Sequence, residues 1–209
     1  MYTPKYLSII DSRKSELRRD LDAILPGKAD FVWEVGCGHG HFLTAYAEAH
    51  PDRVCIGIDL IGERVERACR KRDRAKLDNL HFIQAEARLF LETLPETSRF
   101  REVFILFPDP WPKLRHNKHR ILQPAFLESA AAHATADCPL YFRTDFTGYY
   151  ESARQVLSSD RHWKLSDEPW PFEFATVFQQ RAETFHSLIA RCAHSTVSAN
   201  VGGANRNRF

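Results

Sequence analysis

Short apolar runs rich in β-branched and aromatic residues alternate with helical patterns along most of this chain. That rhythm constrains the fold more than any other feature. Phe31 to Val35, Val54 to Leu60, Leu80 to Gln84, Arg101 to Phe107 and Leu140 to Thr144 have the length and composition of buried strands. Between them lie helical patterns over His41 to Ala49, Gly62 to Leu77, a short stretch ending at Leu94, and Gln123 to Ala134. Another helix is predicted from Tyr149 to Leu157. An opening helix over residues 11–25 places Leu17, Leu21, Ile24 and Leu25 on one face and ends at Pro26-Gly27. Strands that alternate with helices imply right-handed βαβ units and a parallel sheet covered on both faces. After residue 160 the rhythm changes, and His162 to Ser166 with Thr184 to Arg191 reads as a closing antiparallel pair. The polar tail, 195–209, reads as disordered.

The chain has 209 residues, enough for one domain with its own core. Twenty-nine Lys and Arg face 27 Asp and Glu, so any attraction to nucleic acid must come from local clusters. No apolar run is long enough for a membrane span, and the start is too polar for a signal peptide. Five scattered cysteines without a C-x-x-C pair suit a reduced, cytoplasmic setting and argue against a structural metal.

In open α/β sheets ligands bind at the carboxyl ends of the strands. The residues just beyond those ends include Glu34, Asp59, Glu86, Asp109 and Asp145. The first strand runs into Glu34-Val-Gly36-Cys-Gly38-His-Gly40, a G-x-G-x-G turn whose spacing differs from the dinucleotide fingerprint. A carboxylate at Glu34 repels a pyrophosphate and attracts a cation. S-adenosylmethionine (SAM) carries a sulfonium and an ammonium and no phosphate. Asp59, followed by Leu60, suits a ribose diol or the cap of the next helix. Glu86, with Ala87 beside it, suits an adenine amine or the first turn of a helix.

The fourth strand leads into Phe107-Pro-Asp109-Pro-Trp111-Pro-Lys113, a loop stiffened by three prolines. Trp111 offers either a stacking surface for a base or a core anchor for the loop. From Lys113 to Arg120 there are four Lys or Arg, two His and no acid: Lys113, Arg115, His116, Lys118, His119 and Arg120. This reads as a phosphate-contacting patch or, more plainly, a solvated face. A second basic stripe runs from Arg64 to Lys76.

Together, EVGCGHG, GIDL, FPDPWPKLRHNKHR and RTD, in that order, resemble the bacterial tRNA (guanine-N7)-methyltransferases. The likeness runs from about Val32 to Arg191. It implies a three-layer, Rossmann-like class I methyltransferase fold with about seven mostly parallel strands and a C-terminal antiparallel strand. The expected division is an N-terminal helical segment (1–30), the methyltransferase domain (31–194) and the tail. The resemblance implies SAM as cofactor, without a metal, and tRNA as partner, without DNA or membrane, in a monomer or homodimer. It assigns Glu34, Gly36, Gly38, Asp59, Leu60, Glu86, Ala87 and Asp109 to the cofactor, with Asp109 also catalytic. Lys113, Arg115, His116, Lys118, Arg120, Asp145, Thr176 and Gln179 are assigned to the substrate, whose target is the variable-loop guanine. The chain departs from the family pattern at Asp59, where Glu is commoner, and at Glu86, where Asp or Asn is. It also departs at Thr176-Val-Phe-Gln179, where the family has T-K-x-E. Alternatives are a SAM-dependent enzyme acting on another RNA nucleoside or an amine, and a SAM- or RNA-binding module of weak activity.

Overall fold

The computed structural model describes residues 4–27, 29–174, 179 and 182–193. Its elements run α1 (Pro4–Ile24), β1 (Asp30–Val35), α2 (His41–Ala49), β2 (Val54–Asp59), α3 (Gly62–Ala75), β3 (Leu80–Gln84) and α4 (Ala87–Thr93). They continue with β4 (Arg99–Leu106), α5 (Pro124–His133), β5 (Pro139–Thr144), α6 (Thr147–Ser159), β6 (Trp163–Ser166) and β7 (His186–Cys192). The sheet order is β3-β2-β1-β4-β5-β7-β6. β1 to β5 run parallel to one another, while β7 is antiparallel to both β5 and β6. The closing pair predicted from the end of the sequence is therefore present.

Alternation along the strands builds two cores. Phe31, Trp33, Ile56, Ile58, Val103, Ile105, Leu140 and Phe142 face α1, α4, α5 and α6. Val32, Cys55, Phe104 and Tyr141 face α2 and α3, joined by Trp170, Phe172 and Phe174. Trp33 is fully buried and stacks on Phe90 of α4 at 5.0 Å. Burying such a side chain contributes about 1.5–3 kcal/mol.

The opening helix is longer than its apolar face suggested. It starts at Pro4, a residue suited to the first helical turn, and Leu7 and Ile10 continue the sequence spacing of Leu17, Leu21 and Ile24 across an interruption at Lys14. Its second half buries Leu17 and Leu21 in the same core as α4, and Leu25 follows just beyond its end. Lys14 pairs with Glu92 of α4 at 2.7 Å. Residues 195–209, read as a disordered tail, lie outside the described residues.

The strand order turns back at β1. From β1 the chain builds outward through β2 and β3, then returns to place β4 on the other side of β1. The turn after β1 and the loop after β4 therefore flank one crevice, the switch point where open sheets bind ligands.

Candidate active site

Gly36, Gly38 and Gly40 all have positive φ, at 75°, 54° and 67°. Their roles divide by space. A Cβ on Gly36 or Gly38 would meet nothing within 4 Å, so a ligand can approach the backbone there. A Cβ on Gly40 would lie 2.5 Å from Phe82 Cζ and 2.8 Å from Ala68 Cβ, so Gly40 is the packing glycine that seats α2.

Glu34 lies beneath this turn at the end of β1, 3% exposed. The Leu43 backbone N–H, in the first turn of α2, donates to its carboxylate. The other oxygen, Oε2, is buried and finds no partner among the described residues. Burial first, and the nearby Asp59 charge second, push the Glu34 carboxyl up to about 8. A buried carboxylate with an unfilled oxygen favours a cationic ligand.

Asp59 accepts two backbone hydrogen bonds. Its Oδ2 accepts from Gly38 N at 3.0 Å and its Oδ1 from Ile61 N at 2.9 Å. One carboxylate thus ties the glycine turn to the start of α3, with Arg64 3.8 Å away. An ionised carboxylate has about four acceptor positions, so capacity remains for a ligand's hydroxyls. Leu60 and Ile61 beside it are exposed apolar side chains, 65% and 45% accessible. Glu86 caps α4, accepting from Arg88 N and Leu89 N at 3.2 Å each, and Ala87 is buried behind it.

The loop after β4 is held in a strained shape. Phe107 and Trp111 both adopt left-handed backbone, with φ of 49° and 45°. For bulky side chains this costs about 1–3 kcal/mol each and persists only where surrounding structure enforces it. Phe107 N donates to Arg143 O at 2.8 Å. Arg120 Nε donates to Pro110 O at 2.9 Å, and its Nη1 donates to Gly148 O at 3.0 Å and Ser152 Oγ at 2.7 Å. Its guanidinium also lies over the Tyr149 ring, 4.8 Å from the centroid. Between the two strained residues, Asp109 is exposed. Trp111 is exposed, 37% accessible, with the ring centroids of His116 and His119 5.7 and 5.0 Å away.

This geometry revises one expectation. Arg120 is 5% exposed and its donors are engaged inside the fold, so it braces the proline loop and does not offer a phosphate contact. A run of cations in sequence does not distinguish a buried brace from a solvated face. Lys113, Arg115 and Lys118 are exposed along a 3₁₀ helix over Leu114–His119, and His116 is half-buried beside Trp111.

Asp145 is exposed just past β5, on the far side of the proline loop from the glycine turn. Beside it is a cluster that the sequence hinted at only weakly. Arg143 is 5% exposed and holds Glu173 through both oxygens, at 2.8 and 2.5 Å. The guanidinium also donates to Ser187 Oγ at 3.0 Å and to Gln179 Oε1 at 3.4 Å. It lies between the rings of Trp170 and Phe185, 3.7 and 4.9 Å from their centroids. Hydrogen bonds from Arg143 hold the Glu173 carboxyl below the usual carboxylate range. The available signal was an arginine inside an apolar strand, which requires a partner. Gln179 thus joins the Arg143 cluster; Thr176 and Val177 lie outside the described residues.

Comparison with known proteins agrees with this architecture. Residues 28–191 match a family model described as putative methyltransferase. A tRNA (guanine-N(7)-)-methyltransferase of Halorhodospira halophila is 35% identical over 85% of this chain and 81% of its own length. One from Caulobacter vibrioides is 31% identical over 79% and 75%. The chain belongs to the tRNA (guanine-N7)-methyltransferase family. Coverage of its members varies, and the match to the Syntrophotalea carbinolica member, at 33% identity, spans 60% of that protein. The family fold extends to solved structures. An aminoglycoside resistance methyltransferase superposes with a TM-score of 0.58 at 17% identity, covering 84% of this chain and 93% of its own. A 16S rRNA (adenine(1408)-N(1))-methyltransferase from Catenulisporales acidiphilia, solved with its cosubstrate SAM, gives 0.57 at 19%, covering 88% and 92%. At these identities the likeness concerns the fold alone. No helix among the described residues is long and apolar enough to cross a membrane.

Proposed function

We propose that this chain transfers a methyl group from SAM to N7 of guanine in tRNA, at the variable-loop guanine. The observation that carries the proposal is the meeting, at one switch point, of a buried, half-satisfied carboxylate and a strained loop presenting Asp109 and Trp111. Family membership supports the reaction and the tRNA substrate.

The residues present fit SAM. The unfilled Glu34 Oε2 suits an ammonium, the open space over Gly36 and Gly38 admits a ligand against the backbone, and Asp59 retains acceptor capacity for a ribose. Leu60 and Ile61 give apolar cover at the ribose and adenine end, with Glu86 and Ala87 beyond. When bound, SAM supplies an electrophilic methyl carbon on a positively charged sulfur.

Guanine N7 has an in-plane lone pair and no proton to lose, so the chain needs no general base. Its residues have to fix the approach. Such orientation supplies about 7–11 kcal/mol of a barrier. The arrested loop from Phe107 to Trp111 presents Asp109 without a large ordering cost on binding. Positive charge develops on the guanine during transfer, and the Asp109 and Asp145 carboxylates, one on either side, stabilise it. Trp111, its ring steadied by His116 and His119, stacks on the unstacked base, a contact worth about 1–3 kcal/mol. Lys113, Arg115 and Lys118 hold the flanking phosphates. Gln179 and Glu173, both held by Arg143, offer hydrogen-bond partners to the guanine edge.

The positional part is tested by mapping the product. N7-methylguanosine is labile to reduction followed by aniline scission, which cuts the tRNA at the modified nucleotide. Cleavage within the variable loop is expected. Cleavage elsewhere overturns the positional assignment.

A further inference from the structure

The candidate active site leaves one strongly charged surface of the protein unused. Six of the fourteen residues of α3 are cations against three acids. Arg64, Arg67, Lys71 and Arg74 recur at intervals of three and four, so they form a single ridge. Glu66 and Asp73 lie around the helix from it and pair with Arg70 and Arg72, at 3.8 and 2.7 Å, and the third acid, Glu63, stands at the head of the helix one turn before Arg67. Arg67 and Arg74 are exposed, and neither pairs with a carboxylate among the described residues. The helix buries Val65 and Ala68, and Ala68 neighbours Arg64 and Lys71, so the ridge borders the packed face of the helix.

The ridge also has a fixed relation to the active site. Arg64 reaches towards Asp59 at its upper end, and Lys71 Nζ donates to His39 O in the glycine turn at 3.0 Å. Arg64 and Lys71 therefore meet the rim of the cofactor crevice by contact, while Arg67 and Arg74 continue the ridge along the helix. The ridge begins there and runs about 15 Å along the helix, taking 1.5 Å per residue. It follows β2, whereas the cationic stretch at Lys113, Arg115 and Lys118 follows β4, and β1 lies between those strands. The crevice thus has a cationic bank on each side.

We propose that the α3 ridge is a second contact surface for the tRNA backbone, holding phosphates of the tRNA body away from the target guanine. It rests on the tRNA reading above. The partner's chemistry follows from the ridge: the exposed guanidinium groups of Arg67 and Arg74, which pair with no carboxylate among the described residues, continue the line of Arg64 and Lys71 and match a repeating polyanion. With both banks engaged, the tRNA straddles the crevice, and its target base enters between them.

The test compares the full chain with two double variants in equilibrium binding of unmodified tRNA across a salt series. Arg67→Ala with Arg74→Ala removes two ridge charges that touch neither Asp59 nor the glycine turn. Arg161→Ala with Lys164→Ala removes the same net charge near β6. Loss of two phosphate contacts flattens the log–log salt slope by about 1.4–1.8. The ridge variant's Kd relative to the parent is then about tenfold larger at about 50 mM salt than at about 200 mM. The β6 variant is expected to follow the parent, and SAM affinity is expected to be equal in all three, which also reports intact folding. A ridge variant with the parent's slope and affinity overturns the inference, as does equal loss in both variants. A parent that binds no tRNA at all overturns the functional reading and this inference with it.

Discussion

Glu34→Gln tests the electrostatics of the crevice on their own terms. The Glu34 carboxyl stands at about 8 in the fold against an ordinary 4.5, so the folded chain favours its neutral form. Between those values the folded chain keeps a proton that the unfolded chain has released. Stability therefore falls as pH rises from about 4.5, and the contribution of Glu34 is fully lost above about 8. At about 1.36 kcal/mol per unit, that loss is on the order of 5 kcal/mol. Glutamine keeps the shape and cannot ionise. In urea unfolding without SAM, the variant is expected to match the parent near pH 5 and to be more stable by several kcal/mol near pH 8. SAM affinity changes in the opposite sense, because the ammonium needs the ionised carboxylate. Below about pH 7 the ligand's α-ammonium stays charged, and the parent's Kd is expected to fall about tenfold per pH unit. In the variant it is expected to be weaker and flat. Parallel stability curves for the two proteins, or a flat parent Kd, refute the reasoning.

Other substitutions separate chemistry from support. Asp109→Ala is expected to lower methyl transfer by at least about 100-fold. Its tRNA Kd, measured by filter binding, should stay within about threefold of the parent's. Arg120→Ala removes the donor from the Pro110 and Gly148 carbonyls and is expected to cost about 2–3 kcal/mol in urea unfolding. Because Arg120 is buried, the salt slope of tRNA binding should not change; a shallower slope would restore it as a phosphate contact. Gly40→Ala forces a Cβ against Phe82 at a positive φ and is expected to destabilise by about 2–4 kcal/mol, whereas a neutral result contradicts the packing role. Glu86→Ala removes both capping bonds at α4 and should cost about 1 kcal/mol.

The sheet was legible because its strands are short, apolar and β-rich, and because the residues just past their ends are acids. Glu34 and Asp59 could be picked out by that rule alone, and both are buried beside the glycine turn. What escaped the sequence has physical causes. Charge patterns show how many cations a segment carries but not where each guanidinium ends, so Arg120 looked like its exposed neighbours. Left-handed backbone is expected at glycine, and its occurrence at Phe107 and Trp111 depends on tertiary restraint. The Arg143–Glu173 pair joins residues thirty positions apart, and only β5 and the chain leading to β7 bring them together. The start of α1 lies earlier than the unbroken apolar face because Lys14 interrupts the spacing that links Leu7 and Ile10 to Leu17 and Leu21.

The most direct test of the central claim is the identity of the transferred methyl. The protein is incubated with methyl-labelled SAM and unmodified tRNA, and the RNA is digested to nucleosides. Label in N7-methylguanosine is the expected result. Label in any other nucleoside, or none in tRNA while SAM remains bound, contradicts the account.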